Sequence, residues 1–255
     1  VRQVMEPNGE PRYMMLEVIR EFGLERLTAR GEVEGAYDSV LARYLSRVQA
    51  TGWRWDVPKG QGDGEWFASW ERELTTVREV LAWTQRQGEA DRGLQLASAL
   101  FLFWWGRNRL QEGQRWLEHG LARGTGISTS VRALASLVLS AIAHRQDDNA
   151  RSEVHAREAL ALFNGIDEGT GHASYLLAIA LYRQGDLDEA ERFYQAAIRR
   201  LGVAGNNVIG AEASLGLAQI ARDRGDLDRA AALYSGALQW QTSAEVGWGA
   251  ALSQY

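Results

Sequence analysis

The sequence of 255 residues contains no cysteine, a single lysine (Lys59) and only three prolines, Pro7, Pro11 and Pro58. Without cysteine, neither a disulfide framework nor a thiolate metal site is possible. Because no proline follows Pro58, the residue type that most reliably breaks helices is absent from the rest of the chain. A helical architecture is therefore open to most of the sequence.

A net excess of positive charge and long apolar runs are also absent. The net charge is −5 at pH 7, whereas phosphate contacts need a concentrated basic surface, so we expect no direct nucleic acid binding by this fragment. The longest apolar run, residues 96–105, is about half of what a membrane-spanning helix requires, which predicts no membrane partner. The lack of cysteine fits a reducing compartment, and we expect a cytoplasmic protein.

Residues 1–50 have their own pattern. Asn8-Gly9 stands between two extended runs, and this dipeptide tolerates the positive φ angles of a tight hairpin turn. Apolar residues at helical spacing then predict one helix ending near Gly31 and a second over Val33–Ala50. The first residue is Val1 rather than Met, from which we expect a piece of a longer protein.

A glycine-rich stretch with Pro58, residues 51–64, predicts a linker. We therefore expect three parts: residues 1–50, the linker 51–64, and a helical repeat domain over residues 65–255. Within the last part, helix periodicity is interrupted by glycines, each interpreted as a turn: Gly88, Gly106, Gly124, Gly126, Gly165, Gly169, Gly171, Gly185, Gly202, Gly205 and Gly225.

The most informative feature is internal repetition. Gly185-Asp186-Leu187-Asp188 recurs forty residues later as Gly225-Asp226-Leu227-Asp228, and the residues at matching offsets agree. Those matches are Leu177, Ala178, Ala190, Tyr194 and Ala197 with Leu217, Ala218, Ala230, Tyr234 and Ala237. Fainter copies upstream extend the series at a step of forty residues or slightly fewer, a period within the range of helical solenoids. The pattern predicts an all-α fold, an antiparallel helix-pair solenoid of about four pairs truncated at the C-terminus.

These small-residue and aromatic positions resemble the tetratricopeptide repeat. Residues 9–27, and the later runs Trp70–Leu74 and Gly106–Glu118, resemble segments of STAND-type signalling ATPases, which include LuxR-type and SARP-type bacterial transcriptional regulators. That resemblance implies that residues 1–50 close a winged-helix domain with a β-hairpin, and that the repeats form a sensor arm contacting an ATPase domain of the same protein. No Gly-x4-Gly-Lys-Ser/Thr motif occurs, so ATP would bind only in a missing upstream domain and this fragment needs no cofactor.

Motifs of catalysis and metal binding are absent. No two of the four histidines have the one-turn helical spacing of a metal face, and Gly-x-Ser-x-Gly does not occur. Paired carboxylates such as Asp186 and Asp188 stand at helix starts, where helix capping accounts for them. We therefore predict a protein that is not an enzyme, with a helical enzyme using a hidden acid/base pair as a remaining alternative.

A partner would bind along the concave face of the solenoid. Phasing the two clear repeats places there the side chains Tyr175, Ile179, Tyr182, Arg183, Leu215, Gln219, Arg222 and Asp223, and one of Trp104 and Trp105 could join them. The predicted function is a sensor and protein-interaction module of a signalling ATPase, binding a peptide, a protein or a small inducer. The alternative is a structural scaffold that self-associates through its tryptophan-rich surfaces as a homo-oligomer.

Overall fold

A computed structural model describes residues 2–5, 11–14, 17–50, 63–163, 167–203 and 207–243. The chain divides into two compact units, residues 1–50 and residues 51–255. Nearly all described residues are helical, as the sequence predicted, and no helix among them is long and apolar enough to cross a membrane.

The first unit combines a hairpin with two helices. Strands β1 (Arg2–Met5) and β2 (Pro11–Met14) pair antiparallel, with Arg2 opposite Met14. The predicted turn at Asn8-Gly9 lies outside the described residues. Helices α1 (Glu17–Arg30) and α2 (Val33–Ala50) follow, and between them Gly31 adopts φ 69°, a left-handed conformation that ends α1 without a steric penalty.

The described part of the second unit consists of helices. These are α3 (Asp63–Gln87), α4 (Ala90–Ala99), α5 (Phe101–Gly106), α6 (Leu110–Arg123), α7 (Thr129–Arg145), α8 (Asn149–Phe163), α9 (Asp167–Gln184), α10 (Leu187–Val203), α11 (Asn207–Asp223) and α12 (Leu227–Ser243). Helices α7 and α8, α9 and α10, and α11 and α12 pack as successive pairs, and α4 with α5 forms an interrupted first helix that packs on α6. The result is the predicted helix-pair solenoid.

Within each pair the chain turns through one residue of positive φ. Gly185 and Gly225 fill this position in the last two pairs, with φ of 90° and 81°. In the earlier pairs the position belongs to Asn108 and Asp147, with φ of 53° and 58°, so the turn does not require glycine. Asparagine and aspartate tolerate the left-handed region because their short polar side chains bond locally. The glycine-based prediction placed the first of these turns at Gly106, which is instead the last residue of α5.

Three other glycines predicted as turns lie inside helices, Gly169 and Gly171 in α9 and Gly202 in α10. A Cβ atom on Gly171 would lie 2.7 Å from Cγ of Leu201, and one on Gly169 would lie 2.5 Å from the Phe163 ring. These two glycines therefore permit close approach of neighbouring helices, a role that a turn-based interpretation misses. Gly165 and Gly205 lie outside the described residues.

Large side chains of one pair fill gaps left by small residues of the next element. Tyr194 of α10 is 2% exposed and its ring lies against Gly216 of α11, where no side chain would fit. Trp104 of α5 covers Gly113 of α6 in the same manner, since a Cβ there would meet the indole at 2.6 Å. This interlocking buries the apolar face that a single helix pair leaves exposed.

Neighbouring helix pairs are also tied together by a set of ion pairs that we call the arginine ladder. Its members are Arg78 with Glu112, Arg151 with Glu118, Arg157 with Glu189, and Arg224 with Glu191. The first of these joins α3 to α6 through two hydrogen bonds, from Nε and Nη2 of Arg78 to the two carboxylate oxygens at 2.6 and 2.7 Å. Arginine suits such positions because its planar fork matches a carboxylate.

Candidate functional site

The first helices of the last three pairs, α7, α9 and α11, line a groove of about 670 Å³. Its lining includes tyrosines, arginines and amides, together with the apolar side chains of Ile179 and Leu215. The lining residues are His144, Asn149, Tyr175, Ile179, Tyr182, Arg183, Tyr194, Glu212, Leu215, Gly216, Gln219 and Arg222. A concave surface of this volume, on which polar side chains from several helices converge, can serve as a ligand site.

The structure brings most of the predicted binding residues together in this groove. Tyr175, Tyr182 and Arg183 reach it from α9, and Gln219 and Arg222 reach it from α11. They share one surface because equivalent helices of adjacent pairs lie side by side, so residues forty positions apart become neighbours.

At the edge of the groove, several of these polar groups already satisfy one another. The Tyr182 hydroxyl donates to Oδ2 of Asp223 at 2.6 Å, and Nε and Nη2 of Arg222 donate to Oδ1 of the same carboxylate at 3.1 and 2.9 Å. These hydrogen bonds hold the pKa of Asp223 below its usual value and raise the pKa of Tyr182. Arg183 donates to Asp147 at 3.2 Å. We call this set the edge network.

The two adjacent tryptophans have different environments. Trp104 is completely buried and its indole N–H donates to the Ala97 carbonyl at 2.9 Å, so it belongs to the core and cannot contact a partner. This corrects its inclusion among the binding residues, and the reason is geometric: successive helical residues point about 100° apart. Trp105 is half-buried, stacks on Phe101 with ring centroids 6.3 Å apart, and carries the Arg145 guanidinium 3.9 Å from its ring centroid.

Two charged residues in this region escaped the prediction from sequence, Arg145 at the end of α7 and Glu212 near the start of α11. Both are exposed. Within the residues that the structure describes, neither takes part in an ion pair, and the Tyr175 hydroxyl between them makes no hydrogen bond. Arg145 stands at the end of α7 much as Arg183 stands at the end of α9, so the repeat pattern contains a signal for it. The prediction of groove residues covered only the two clear repeats, which do not include α7.

Burial shifts the protonation equilibria in the groove. It lowers the pKa of His144 to about 4, with repulsion from Arg145 and Arg183 adding to the effect, so this imidazole is neutral at pH 7. Burial raises the pKa of Tyr175 and of Glu212, and in the latter the positive charge of Arg145 opposes the shift. Burial also lowers the pKa of Arg145, which nevertheless remains a cation at neutral pH.

The described residues contain no group of three or more His, Cys, Asp or Glu side chains placed to hold a metal ion. The carboxylates at helix starts act as caps: Asp148 and Asp186 accept hydrogen bonds from the backbone N–H of Arg151 at 3.0 Å and of Glu189 at 3.1 Å. Glu71 is bound by Arg109 at 2.7 Å.

Comparison with known proteins agrees with the repeat pattern. Residues 169–239 match the tetratricopeptide repeat family. This stretch holds most of α9 to α12, and with them the wall of the groove formed by α9 and α11. In tetratricopeptide-like solenoids of this kind, stacked helix pairs create an extended concave surface.

Two curated proteins share 34% identity with this chain over 131 residues. They are "Putative HTH-type transcriptional regulator Mb0914c" of Mycobacterium bovis and "Putative HTH-type transcriptional regulator Rv0890c" of Mycobacterium tuberculosis. The matched segment is 50% of this chain and only 14% of each of those proteins, so this chain spans a small part of their length.

Among solved structures, the crystal structure of BtubC (BKLC) from P. vanneervenii is similar in fold, with a TM-score of 0.56 at 14% sequence identity. The similarity covers 80% of this chain and 89% of that protein. At this identity the comparison establishes the tetratricopeptide-like solenoid and nothing about function.

Proposed function

We propose that this chain is a non-catalytic sensor and interaction module of a multidomain bacterial transcriptional regulator in the cytoplasm. Its groove recognises a peptide, a protein or a small inducer, and occupancy of the groove alters the regulator's output. The observation that carries the proposal is the groove itself, in which residues from three successive helix pairs converge on one concave surface. The 34% identity to two proteins named as HTH-type transcriptional regulators supports the regulatory context.

The finer context rests on the resemblance of residues 9–27 and of the later runs to STAND-type regulators of the LuxR and SARP types. In that context, residues 1–50 end a winged-helix domain, the repeats contact an ATPase domain of the same protein, and ATP binds in that other domain. The antiparallel pairing of β1 with β2 before α1 is compatible with a winged-helix remnant.

A structural scaffold that self-associates through tryptophans has weaker support. Of the tryptophan side chains that the structure describes, Trp66, Trp70, Trp83 and Trp104 are buried, and Trp105 and Trp116 are half-buried. None of these six offers the exposed aromatic surface on which that alternative depended. Formation of a homo-oligomer stays a prediction that light scattering on the purified chain would test.

The test is a double substitution in the groove, Tyr182→Ala with Arg222→Ala, made in the full-length protein in its bacterial host. We expect the set of transcripts that responds to the regulator to change, either by losing the response or by becoming constitutive. Transcript sequencing before and after induction of the gene measures this, and circular dichroism on the purified chain checks that the fold is retained.

The matched control replaces two exposed arginines of α10, Arg192→Ala with Arg199→Ala, which do not line the groove. This control should leave the transcripts as in the unsubstituted protein. If the groove variant also gave an unchanged response in every condition tested, the sensor function would be refuted.

A further inference from the structure

Three polar groups from successive first helices lie in or beside the groove: Tyr175 of α9 and Glu212 of α11 line it, and Arg145 of α7 follows the lining residue His144. They interact with one another electrostatically, but none makes an ion pair or hydrogen bond to any residue in the described part of the chain. We call this set the open row. Its opposite charges do not neutralise each other in direct contact.

The open row differs from its surroundings, where charge is satisfied internally. Tyr182, Arg222 and Asp223 bond to one another, and Arg183 is paired with Asp147. Polar groups that are partly desolvated and lack partners are costly, so they are normally paired within the protein or with a bound molecule. The open row therefore provides charged groups that are available to a ligand.

The two ends of the open row differ in chemistry. The Arg145 guanidinium lies over the Trp105 ring, which restrains it and leaves its N–H groups free for a carboxylate. Glu212 at the other end is an acceptor in a partly desolvated position, suited to an ammonium or guanidinium donor. Tyr175 between them adds a neutral hydroxyl that can donate or accept.

We propose that the groove takes a dipolar ligand, a peptide segment that places a carboxylate on Arg145 and a cationic nitrogen on Glu212. The inference rests on the proposed binding function and specifies the class of ligand. His144 is neutral, and the charges of Arg183, Arg222 and Asp223 are already paired with one another or with Asp147. We therefore expect a charged ligand to bind the open row. The carboxylate and the nitrogen could come from the ends of a short peptide or from acidic and basic side chains.

The probes are three synthetic octapeptides of glycine and serine. One has free termini, the second has blocked termini and carries one glutamate and one lysine, and the third has blocked termini and no charge. Binding to the purified chain is measured by calorimetry, and the Nε–H signal of Arg145 is followed by NMR. We expect one of the first two peptides to bind at least about tenfold more tightly than the third and to shift the Arg145 signal. Which of the two binds identifies the source of the charges.

Single substitutions test the contribution of each end of the open row to peptide binding. Arg145→Met keeps an apolar chain on Trp105 while removing the charge, and Glu212→Gln keeps the shape of the side chain. Each should weaken binding of the charged peptide about tenfold and leave the uncharged peptide unaffected. Arg192→Met, an exposed site on α10, is the matched control and should change neither.

The dipolar ligand is refuted if both charged peptides fail to bind at millimolar concentration, if the uncharged peptide binds as tightly, or if binding survives both substitutions. These results leave the proposed function to its own test, because the transcript response to the Tyr182 and Arg222 substitutions does not depend on ligand charge. Loss of the transcript response together with failure of all three peptides would retain a sensor groove and exclude this ligand class.

Discussion

Arginine and glutamate occur both in the arginine ladder and at the groove, but the two regions use them differently. In the arginine ladder each guanidinium is bound to a carboxylate of the neighbouring element, as Arg78 is to Glu112. Glu212 lines the groove and Arg145 lies beside it, and neither is bound in this way within the described residues. The ion pairs of the arginine ladder link successive helix pairs to each other. The unpaired charges at the groove make no such link and remain accessible to a ligand.

This difference teaches that residue type alone does not assign a role in a repeat protein. Arg145 and Arg183 occupy similar positions at the ends of α7 and α9, yet Arg183 is paired with Asp147 and Arg145 lies on Trp105. The two side chains differ in their contacts because a carboxylate lies beside one and an indole ring beside the other. Measurements that compare interior or paired positions with groove positions should therefore give contrasting results.

The largest contrast is expected at the adjacent tryptophans. Trp104→Ala should destabilise the chain by about 3–5 kcal/mol, because it removes a fully buried indole over Gly113 and leaves a cavity. Trp105→Ala should cost about 1 kcal/mol, since that ring is half-buried and its main charged contact is Arg145. Urea denaturation of both variants measures the difference in the free energy of unfolding. Equal losses would show that both indoles belong to the core.

A smaller contrast is expected at two glutamates, whose substitutions should change the free energy of unfolding in opposite directions. Hydrogen bonds from Arg78 lower the pKa of Glu112, whereas burial raises the pKa of Glu212. At pH 7, Glu112→Gln should therefore destabilise the chain, by about 0.5–1 kcal/mol for a surface ion pair, and Glu212→Gln should stabilise it slightly. Chemical denaturation between pH 3 and pH 8 measures both.

The pH dependence follows from the direction of each shift. The stabilisation from Glu112 is present above its unfolded pKa and is lost as the pH falls through its lower folded pKa. The cost of Glu212 is absent below its unfolded pKa and grows as the pH rises through its higher folded pKa, because the folded state then binds more protons than the unfolded state. At acid pH, the free energy of unfolding of both variants should approach that of the unsubstituted chain. A destabilising Glu212→Gln at pH 7 would mean that this carboxylate has a partner.

The smallest effect concerns His144, which should titrate near pH 4 in the folded chain because of its burial and the adjacent arginines. NMR of the imidazole signals measures the midpoint, and Arg145→Met should raise it by a few tenths of a pH unit as one positive charge is removed. Since the folded state binds the proton less readily than the unfolded state, stability is lost as the pH falls from about 6.5 toward 4. A midpoint near 6.5 would place His144 in solvent.

Much of the fold could be predicted because its determinants are local or repeated. The bounds of α2 were read from apolar spacing, and the turns at Gly185 and Gly225 from two copies of one motif. The turns at Asn108 and Asp147 were missed because the same left-handed conformation is open to other residues. Gly169 and Gly171 were misread because a glycine needed for close helix packing looks, in sequence, like a glycine needed for a turn.

The groove was only partly predictable. Tyr175, Tyr182, Arg183, Gln219 and Arg222 were placed on one surface by periodicity, but periodicity could not show that Tyr182, Arg183 and Arg222 would be satisfied by Asp223 and Asp147. It also could not distinguish the fully buried Trp104 from the half-buried Trp105, since both belong to one continuous apolar run.

The sequence by itself determined that this chain is a helical solenoid, because hydrophobic periodicity, the scarcity of proline and the recurrence of one motif at a fixed step act within one repeat or between adjacent repeats. Only the tertiary structure decided which charges are paired and which are open. That outcome depends on distances between side chains of different helices, and a shift of a few ångströms turns an ion pair into two separate charges that a ligand can bind.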